Sequence, residues 1–407
     1  MRLRIAVQWR AIAMASAAGC VATLDANLEG RQDHSVRTVA LHNAMQPAAG
    51  GVPLSTVPAN VTDGVLGAIG NTPLIELRSL SAATGCRILA KAEFMNPGGS
   101  VKDRAALNIV ARLEADGALT PRHRLGPNER KGTLVEGTGG NTGVGLAIVA
   151  AARGYDAIFC MPENVSSEKV QLARTLGATV VVCPAVPFTD KRHYYHRAQQ
   201  IAAETPGAVW TNQFESLMNA AGHYGGTGPE IWKQAGGIVD AFAVSAGTGG
   251  TIGGLACYLR ERNPTLRVYL ADPPGSALAS YVQRGELVAS AGTTIAEGIG
   301  IARLTRNFEA ATPIDAAFTV SDQDTVDMAF YLLRQEGVFV GPSAALNVVA
   351  AVKAARQLGP GHTVVTVLCD GGRNYMTKMY GADGAWLESR GLRMPTPASI
   401  ESLLQRL

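Results

Sequence analysis

The sequence predicts an α/β fold in which parallel β-sheets are covered by helices on both faces. Short apolar strands alternate with helices from about residue 61 onward. Strands such as "TVVVCP" and "HTVVTVLCD" are continuous apolar runs, which is typical of strands buried on both faces of a parallel sheet. The chain has 46 glycines, which suit the tight joints between strands and helices, and its 407 residues are enough for two sheets with a cleft between them.

Composition and charge exclude several classes of function. Three arginines stand in the first 24 residues without an acid, and the rest of the chain balances 33 basic against 33 acidic residues. A basic nucleic-acid surface is therefore not expected. The six cysteines contain no C-x-x-C pair, so we expect neither a zinc site nor a disulfide framework, assign no metal ligand, and expect reduced, mostly buried thiols.

The first 60 residues are expected to be a targeting segment and linker. "MRLRIAVQWRAIAMASAAGC" carries arginines and alanines without an acid, as mitochondrial transit peptides do. Its apolar run is too short to span a membrane, but "AIAMASAAGCVATL" also resembles the apolar core of a secretory signal. Arg10 interrupts the apolar run and favours the mitochondrial interpretation, with a cytoplasmic location as the alternative.

Each element is predicted by its own pattern, in chain order. Strands are predicted where short aliphatic runs end at a turn, and helices where longer runs repeat apolar residues at helical spacing. The predicted strands are "RILAKAEF", "GTLVEG", "YDAIFCMP", "TVVVCP", "IVDAFAVSAG", "RVYLADP" and "HTVVTVLCD". The predicted helices are the stretch from Ser100 through "RAALNIVARLEADG", "VGLAIVAAARG", "SSEKVQLARTLG", "HYYHRAQQIAAE", "LACYLRER" and "TVDMAFYLLRQEG".

The stretch "NPGGSVKDR", residues 96–104, joins the first predicted strand to its helix. Pro-Gly-Gly is typical of a turn, and Ser100 with Asp103 predicts a capping box. Lys102 then lies in the first helical turn, where the helix dipole disfavours a cation. Such a position lowers the pKa of an ammonium, as a lysine that forms Schiff bases requires; a surface lysine is the alternative.

A second glycine-rich turn, residues 247–251, follows a strand and opens a helix. Its glycines let backbone N–H groups approach an anion, and its threonines add hydroxyl donors, so a phosphate group is the expected ligand. Its members are Gly247, Thr248, Gly249, Gly250 and Thr251. Ile252 breaks the dinucleotide fingerprint and no P-loop G-K-[ST] follows, although Asp272 lies where an NAD site has its acid. An NAD site and a loop that is glycine-rich for packing alone remain alternatives.

The loop "TGGNTG", residues 138–143, adds an amide, Asn141, among small residues at a strand end. An amide there suits a ligand oxygen, although asparagine is also common in turns. A phosphate cup, an amide and a lysine with a lowered pKa together indicate a phosphate-bearing aldehyde that forms a Schiff base. That cofactor is pyridoxal 5′-phosphate.

Six motifs between about residues 64 and 392 carry a resemblance. They are "IGNTPLIEL", "KAEFMNPGGSVKDRAA", "EGTGGNTGVGLA", "SAGTGGTIGG", "AEGIG" and "LCDGGRNYMTKM". In this order they resemble the β-family of pyridoxal-phosphate enzymes, cysteine synthase (O-acetylserine sulfhydrylase) and cystathionine β-synthase. "NQFESLMNAAGHYGGTGPEIW" and "WLESRGL" are most similar to eukaryotic, fungal-type cysteine synthases. The resemblance implies fold-type II, tryptophan synthase β-like, with two α/β domains and the cofactor in the cleft.

The resemblance also implies roles for individual residues. Lys102 forms the internal aldimine and then acts as base on the substrate α-proton, while Asn141 hydrogen-bonds the cofactor's 3′ oxygen. The phosphate is held by Gly247, Thr248, Gly249, Gly250 and Thr251. The substrate carboxylate is bound by Thr138, Thr142 and Gln213, and Gly298 faces the substrate amino group.

Two positions depart from the family pattern. Gly139 stands where the family's T-S-G-N-T-G loop has a serine, in the substrate-binding loop. Gly371 stands where the family places a serine or threonine against the pyridine nitrogen of the cofactor. Water, no partner, or the neighbouring Asp370 are the alternatives at that nitrogen.

The implied reaction is β-replacement, in which O-acetyl-L-serine and sulfide give L-cysteine and acetate through an aminoacrylate. Cystathionine β-synthase, using serine and homocysteine, is the first rival, and the few residues after Leu392 leave no room for its regulatory domains. A dehydratase is a more distant rival. A weakened homologue that binds a partner's C-terminal tail in the cleft is an alternative of another class.

The resemblance also implies domains and partners. Residues 61–104 with 215–392 form a large cofactor-binding domain, residues 105–214 a smaller mobile α/β domain, and residues 393–407 a C-terminal tail. A homodimer without a membrane span is expected, acting on small molecules, with serine acetyltransferase as a candidate partner.

Overall fold

The computed structural model describes residues 62–126 and 130–407. The predicted targeting segment and linker, residues 1–60, therefore lie outside the described residues, as does Cys20.

The described residues form a six-stranded and a four-stranded sheet. The strands are β1 (Leu74–Glu76), β2 (Arg87–Lys91), β3 (Thr133–Gly137), β4 (Asp156–Pro162), β5 (Thr179–Cys183), β6 (Ala208–Trp210), β7 (Ala241–Ser245), β8 (Arg267–Asp272), β9 (Ala316–Thr319) and β10 (Thr363–Val367). The strand orders are β1-β2-β10-β7-β8-β9 and β5-β4-β3-β6. The pairs are parallel, as predicted, except that β1 pairs with β2 in the antiparallel direction.

All seven predicted strands are present, and three further strands were missed. The missed strands β1, β6 and β9 have three or four residues, and most of their side chains are only partly buried. A run that short shows no usable period in the sequence, and each of the three lies at an edge of its sheet.

Helices surround both sheets. They are α1 (Arg78–Thr84), α2 (Lys102–Ala115), α3 (Asn141–Arg153), α4 (Ser167–Thr175), α5 (Tyr194–Glu204), α6 (Met218–Gly222), α7 (Gly228–Gln234), α8 (Gly250–Arg262), α9 (Leu278–Arg284), α10 (Arg306–Glu309), α11 (Asp322–Tyr331), α12 (Pro342–Leu358), α13 (Ala385–Glu388), α14 (Pro397–Glu401) and α15 (Leu403–Arg406). Two π-helical turns, His223–Thr227 and Leu332–Glu336, continue α6 and α11. The predictions missed nine of these fifteen helices. Eight of the nine have four to seven residues, and the ninth, α12, is buried on nearly every side and so has no polar face to mark its period.

The core lies on both faces of each sheet. One hydrophobic cluster packs α11 and α12 against the six-stranded sheet, and a second packs α7 and α8 against its other face. The four-stranded sheet is covered by α2 and α3 on one side and by α5 on the other. Covered faces leave the strand ends as the accessible edges, which is where ligands bind in such folds.

No helix in the described part of the chain has the length and apolar character needed to cross a membrane. The five cysteines of that part are free thiols, and four of them are buried, as the composition predicted.

Candidate active site

The lysine turn, residues 96–104, connects β2 to α2, and Lys102 is the first residue of that helix. The predicted capping box is wrong. Val101 is already helical at φ −58° and ψ −19°, so Ser100 lies outside the cap position. The Ser100 hydroxyl instead accepts a hydrogen bond from the Lys102 amide at 3.2 Å, and the Asp103 carboxylate accepts one from the Gly98 amide. Both side chains therefore stabilise the turn itself.

A buried ion network supports the lysine turn. Arg104 Nε donates to Glu93 Oε2 at 2.7 Å, and Arg104 Nη2 donates to Glu230 Oε2 at 2.7 Å. Asn96 Nδ2 donates to Glu93 Oε2 at 2.9 Å and to the Ser100 carbonyl at 3.2 Å. Glu93 and Arg104 are buried, so removing either one would leave an uncompensated charge in the interior. The turn is thus held in one conformation.

Lys102 has the electrostatics of a reactive amine. Its Nζ has no hydrogen-bond or ion-pair partner among residues 62–126 and 130–407. Burial lowers its pKa, and the nearby Cys369 and Asp370 oppose that shift. The predicted direction is confirmed, but burial rather than the helix end is the main cause. An amine with a lowered pKa is more often unprotonated and available for nucleophilic attack.

The phosphate loop, residues 247–251, joins β7 to α8. None of its five backbone N–H groups donates a hydrogen bond to another residue in the described part of the chain. A Cβ on Gly247 would collide with the Gly298 carbonyl, and one on Gly249, at φ +84°, would collide with the Phe308 backbone. Bare N–H groups at the start of a long helix form an anion cradle, so these residues fit the phosphate of pyridoxal phosphate.

Two side chains that the motifs did not single out support the phosphate loop. Asn219 Nδ2 donates to the Thr248 hydroxyl at 2.9 Å and to the Gln213 carbonyl at 3.0 Å. His223 Nε2 lies 3.2 Å from the Thr251 hydroxyl, and burial lowers its pKa to about 3, which keeps the ring neutral. Their only sequence signal is a polar residue within the small-residue stretch "NAAGHYGG".

The substrate loop, residues 138–143, lies between β3 and the first turn of α3. Thr142 Oγ1 donates to Gln213 Oε1 at 2.6 Å, and Gln213 Nε2 donates to the Gly137 carbonyl at 2.9 Å. Two of the predicted carboxylate-binding residues, Thr142 and Gln213, are therefore in contact. The third, Thr138, is buried and accepts a hydrogen bond from the Gly140 amide at 3.0 Å.

A buried acid that the sequence analysis did not identify lies beneath the substrate loop. Glu136, at the carboxyl end of β3, accepts hydrogen bonds from the amides of Gly137 at 2.8 Å and Gln213 at 3.0 Å, and from the Thr211 hydroxyl. Burial raises the pKa of Glu136 to about 7, against these hydrogen bonds. Its position at the end of a buried strand is a signal that the sequence did carry.

The two glycines that depart from the family pattern lie in open space. A Cβ on Gly139 would have no atom within 4 Å, and one on Gly371 would first meet Phe94 Cβ at 3.9 Å. Neither glycine has a positive φ. Gly298 does, at +77°, and its carbonyl abuts Gly247, so the "AEGIG" loop packs on the phosphate loop.

Asn141 is the first residue of α3 and contacts the six-stranded sheet. Its Nδ2 donates to Asp370 Oδ2 at 2.9 Å, and the Tyr375 hydroxyl donates to the same oxygen at 2.7 Å. Asp370 is fully buried at the carboxyl end of β10. Turning this carboxylate toward another ligand atom would break both hydrogen bonds. The structure thus brings Asn141 and Asp370 together beside the lysine turn.

Comparison with known families identifies the class of enzyme. A family model described as "Pyridoxal-phosphate dependent enzyme" matches residues 65–370. Cysteine synthase 1 of Emericella nidulans is 47% identical over 345 residues, covering 84% of this chain and 90% of that protein. A putative mitochondrial cysteine synthase of Saccharomyces cerevisiae is 40% identical over 336 residues, covering 78% of this chain and 84% of that one.

Solved structures agree with the sequence comparison. The O-acetylserine dependent cystathionine β-synthase of Helicobacter pylori superimposes with a TM-score of 0.70 at 32% identity, covering 78% of this chain and 98% of that one. A hydrogen sulfide-producing enzyme of Fusobacterium nucleatum superimposes with a TM-score of 0.68 at 26% identity, covering 77% of this chain and all of that one. The predicted fold-type II architecture is therefore confirmed.

Proposed function

The chain belongs to the pyridoxal-phosphate dependent enzymes, as a member of the cysteine synthase type, and from that premise we propose that it converts O-acetyl-L-serine and sulfide to L-cysteine and acetate. The observation that carries this proposal is the combination of a lysine whose pKa is lowered with a bare anion cradle. His223 contacts Thr251 of the cradle, and burial lowers the pKa of the His223 ring, with the positive charges of Arg104 and Lys102 acting in the same direction.

We assign the cofactor-holding residues as follows. Pyridoxal phosphate, when bound, supplies an aldehyde that condenses with amines and a ring that withdraws electrons from the substrate α-carbon. The N–H groups of residues 247–251, with the hydroxyls of Thr248 and Thr251, hold its phosphate. Asn141 would bind its 3′ oxygen, and Gly371 would offer no hydroxyl to its pyridine nitrogen. Lys102 provides the amine that attaches it.

The substrate-binding residues are proposed on the same grounds. Thr138, Thr142 and Gln213 bind the substrate carboxylate, with Gly139 beside them in the loop. Gly298 lines the wall that faces the substrate amino group. Lys102 would be the base that takes the proton from the substrate α-carbon. Because its pKa is lowered, the amine is available in its neutral form to do so.

The test of this assignment is replacement of Lys102. Lys102→Ala should remove the visible absorbance of the lysine-bound cofactor and lower turnover of O-acetylserine and sulfide by about 10²- to 10⁴-fold. The matched control is Lys131→Ala, which removes a half-exposed lysine. Wild-type absorbance and turnover in the Lys102 variant would exclude this lysine from the reaction.

A second candidate function is cystathionine synthesis from O-acetylserine and homocysteine. The Helicobacter pylori protein with the same fold is named for that dependence on O-acetylserine, and the open space at Gly139 leaves room beside the substrate loop. Rates should be compared for sulfide and homocysteine with O-acetylserine, and for homocysteine with serine. A homocysteine rate above the sulfide rate would favour this candidate.

A non-catalytic role remains the alternative of another class. A weakened homologue would bind cofactor, and a partner's C-terminal tail in its cleft, without turning over O-acetylserine. The free Lys102 amine and the bare phosphate loop argue for catalysis. A visible spectral change on adding O-acetylserine, without a second substrate, separates the two, because a binding-only protein would show none.

We also propose the finer assignments of assembly, domains and location. Residues 61–104 with 215–392 and residues 105–214 are proposed as the larger and the smaller, mobile domain, and residues 393–407 as a tail. A homodimer is proposed, testable by sedimentation, with serine acetyltransferase as a candidate partner. A mitochondrial location is supported by the arginine-bearing N-terminal sequence and by the yeast relative's name; imaging of a C-terminally tagged chain would test it.

A further inference from the structure

Asp370 is a buried carboxylate beside the lysine turn. It is fully buried, and its backbone forms an isolated antiparallel bridge with Ser100. Two donors, Asn141 Nδ2 and the Tyr375 hydroxyl, reach its Oδ2. Within residues 62–126 and 130–407 no lysine, arginine or histidine forms an ion pair with it. A buried carboxylate without a cation partner is costly to ionise, so it depends on the hydrogen bonds that it accepts.

The other titratable groups that face Lys102 do not supply a negative charge. Burial raises the pKa of the Cys369 thiol to about 11 and lowers the pKa of the His223 ring to about 3, so both are neutral near pH 7. The positive charge of Lys169, from α4, lowers the pKa of Lys102, whereas the negative charge of Asp370 raises it. Lys169 itself forms an ion pair with Glu297.

The hydroxyl that contacts Asp370 is neutral as well. Burial raises the pKa of Tyr375 well above its ordinary value, and the negative charge of Asp370 acts in the same direction. Lys378 is the second cation on Glu297, so this cluster carries no free negative charge toward the lysine. The negative charge of Asp370 opposes the lowering of the Lys102 pKa by burial, and its backbone bridge to Ser100 places it against the lysine turn.

Asp370 also restricts the orientation of the Asn141 side-chain amide. An asparagine side chain has two N–H donors and one carbonyl acceptor, all in one plane. Because one N–H is directed at Asp370 Oδ2, the plane of the amide and the direction of its second N–H are set by the carboxylate. That second N–H is the group left for a ligand oxygen.

We propose that Asp370 is a positioning residue that orients the Asn141 amide toward the cofactor's 3′ oxygen, and that its carboxylate favours protonation of the Lys102 nitrogen when this nitrogen carries the cofactor. The inference rests on the proposed roles of Lys102 and Asn141. Asp370, which contacts Asn141, would then supply the polar side chain of this segment, since the neighbouring Gly371 has none.

The experiment is a pH titration of the visible absorbance of the holoenzyme with and without the carboxylate. Asp370→Asn keeps the size of the side chain and an oxygen to accept the Asn141 N–H, but removes the charge. The protonation midpoint of the Lys102 nitrogen should fall by about 1–3 pH units, the effect of losing an opposite charge nearby. An unchanged midpoint in this variant would overturn the inference.

Two further variants keep the test decisive. Tyr375→Phe removes one hydrogen-bond donor to Asp370 and leaves the charge, so the protonation midpoint should stay or rise. A fall equal to that of Asp370→Asn would also overturn the inference, because disruption of the hydrogen-bond network would then explain the result in both variants. Asp272→Asn removes another buried carboxylate at the carboxyl end of a strand of the same sheet and should leave the midpoint unchanged.

Failure of the inference is separable from failure of the proposed function. If Lys102→Ala retains the wild-type absorbance, the role of Lys102 is wrong and the titration reports another group. If Lys102→Ala loses that absorbance but Asp370→Asn titrates like the wild type, the proposed function stands and Asp370 has no such role.

Discussion

The phosphate loop and the substrate loop are both glycine-rich turns between a strand and a helix, but their glycines have different surroundings. In the phosphate loop, a Cβ on Gly247 or Gly249 would collide with the backbone of a neighbouring segment. In the substrate loop, Gly140 also requires glycine, because its φ of +133° is strained for other residues and a Cβ there would overlap the Lys169 side chain. A Cβ on Gly139 would meet nothing within 4 Å.

This difference separates glycines that the fold requires from glycines that it only permits. Backbone neighbours cannot move aside without moving a whole element, so the phosphate loop admits no side chain. The substrate loop has room for one at Gly139, and the C-terminal strand end has room at Gly371. The backbone therefore does not require glycine at these two positions, and a side chain with a hydroxyl would fit at either one.

The largest effect should come from filling the phosphate loop. Gly249→Ala combines a positive φ with overlap of the Phe308 backbone, and we expect it to lower the free energy of unfolding by about 2–5 kcal/mol and to abolish cofactor retention. The same change at Gly139 is the matched control and should stay within about 0.5 kcal/mol. Chemical denaturation and cofactor titration measure both. Equal losses in the two variants would contradict the distinction between the loops.

The stability of the structure around the substrate loop should depend instead on the protonation of Glu136, the buried acid beneath this loop. The pKa of Glu136 is about 7 in the folded chain, against an ordinary value of 4.5. Between these two values Glu136 is protonated in the folded state and ionised in the unfolded state. Its contribution to the free energy of unfolding is therefore fully present below pH 4.5 and is lost as the pH rises through 7. The expected loss is about 3 kcal/mol.

Comparison with Glu136→Gln isolates this effect. The variant cannot ionise, so the difference in unfolding free energy between it and the wild type should change with pH in the window from 4.5 to above 7. Asp103 and Asp272, whose pKa values burial also raises, are present in both chains and cancel. Urea denaturation near pH 4.5 and again above pH 7 gives the difference, and a constant value across this window would contradict the assignment.

The smallest effect should come from restoring the absent hydroxyls. Gly139→Ser and Gly371→Ser should fold with free energies of unfolding within about 0.5 kcal/mol of the wild type. One added hydrogen bond contributes about 0.5–1.5 kcal/mol, so kcat or KM for O-acetylserine should change by up to about tenfold. Alanine at each position is the control for volume alone. Unfolding of either serine variant would show that these positions are not open.

Much of the site could be predicted because its parts are local in sequence. The phosphate loop and the lysine turn are each short stretches whose residue types and order indicate their chemistry. The structure joins Asn141 to Asp370 and Thr251 to His223 by hydrogen bonds. The capping box was wrong because Ser100 and Asp103 found partners across the turn, a geometry that a spacing rule does not contain.

The groups that the sequence did not reveal are those whose importance comes from distant partners. Asn219 matters because it joins Gln213 to Thr248, 29 residues away from it. Asp370 matters because Asn141, 229 residues away, donates to it. A carboxylate at a strand end is visible in the sequence, but its partners are not.

The sequence by itself determined the alternation of elements, the glycine loops and the class of cofactor, and it predicted the lysine, because these follow from residue type and local spacing. Only the tertiary structure decided which glycines are crowded and which are open, what lowers the pKa of Lys102, and which side chains contact the Asp370 carboxylate. These properties depend on burial and on contacts between segments that lie far apart along the chain, and local patterns do not record them.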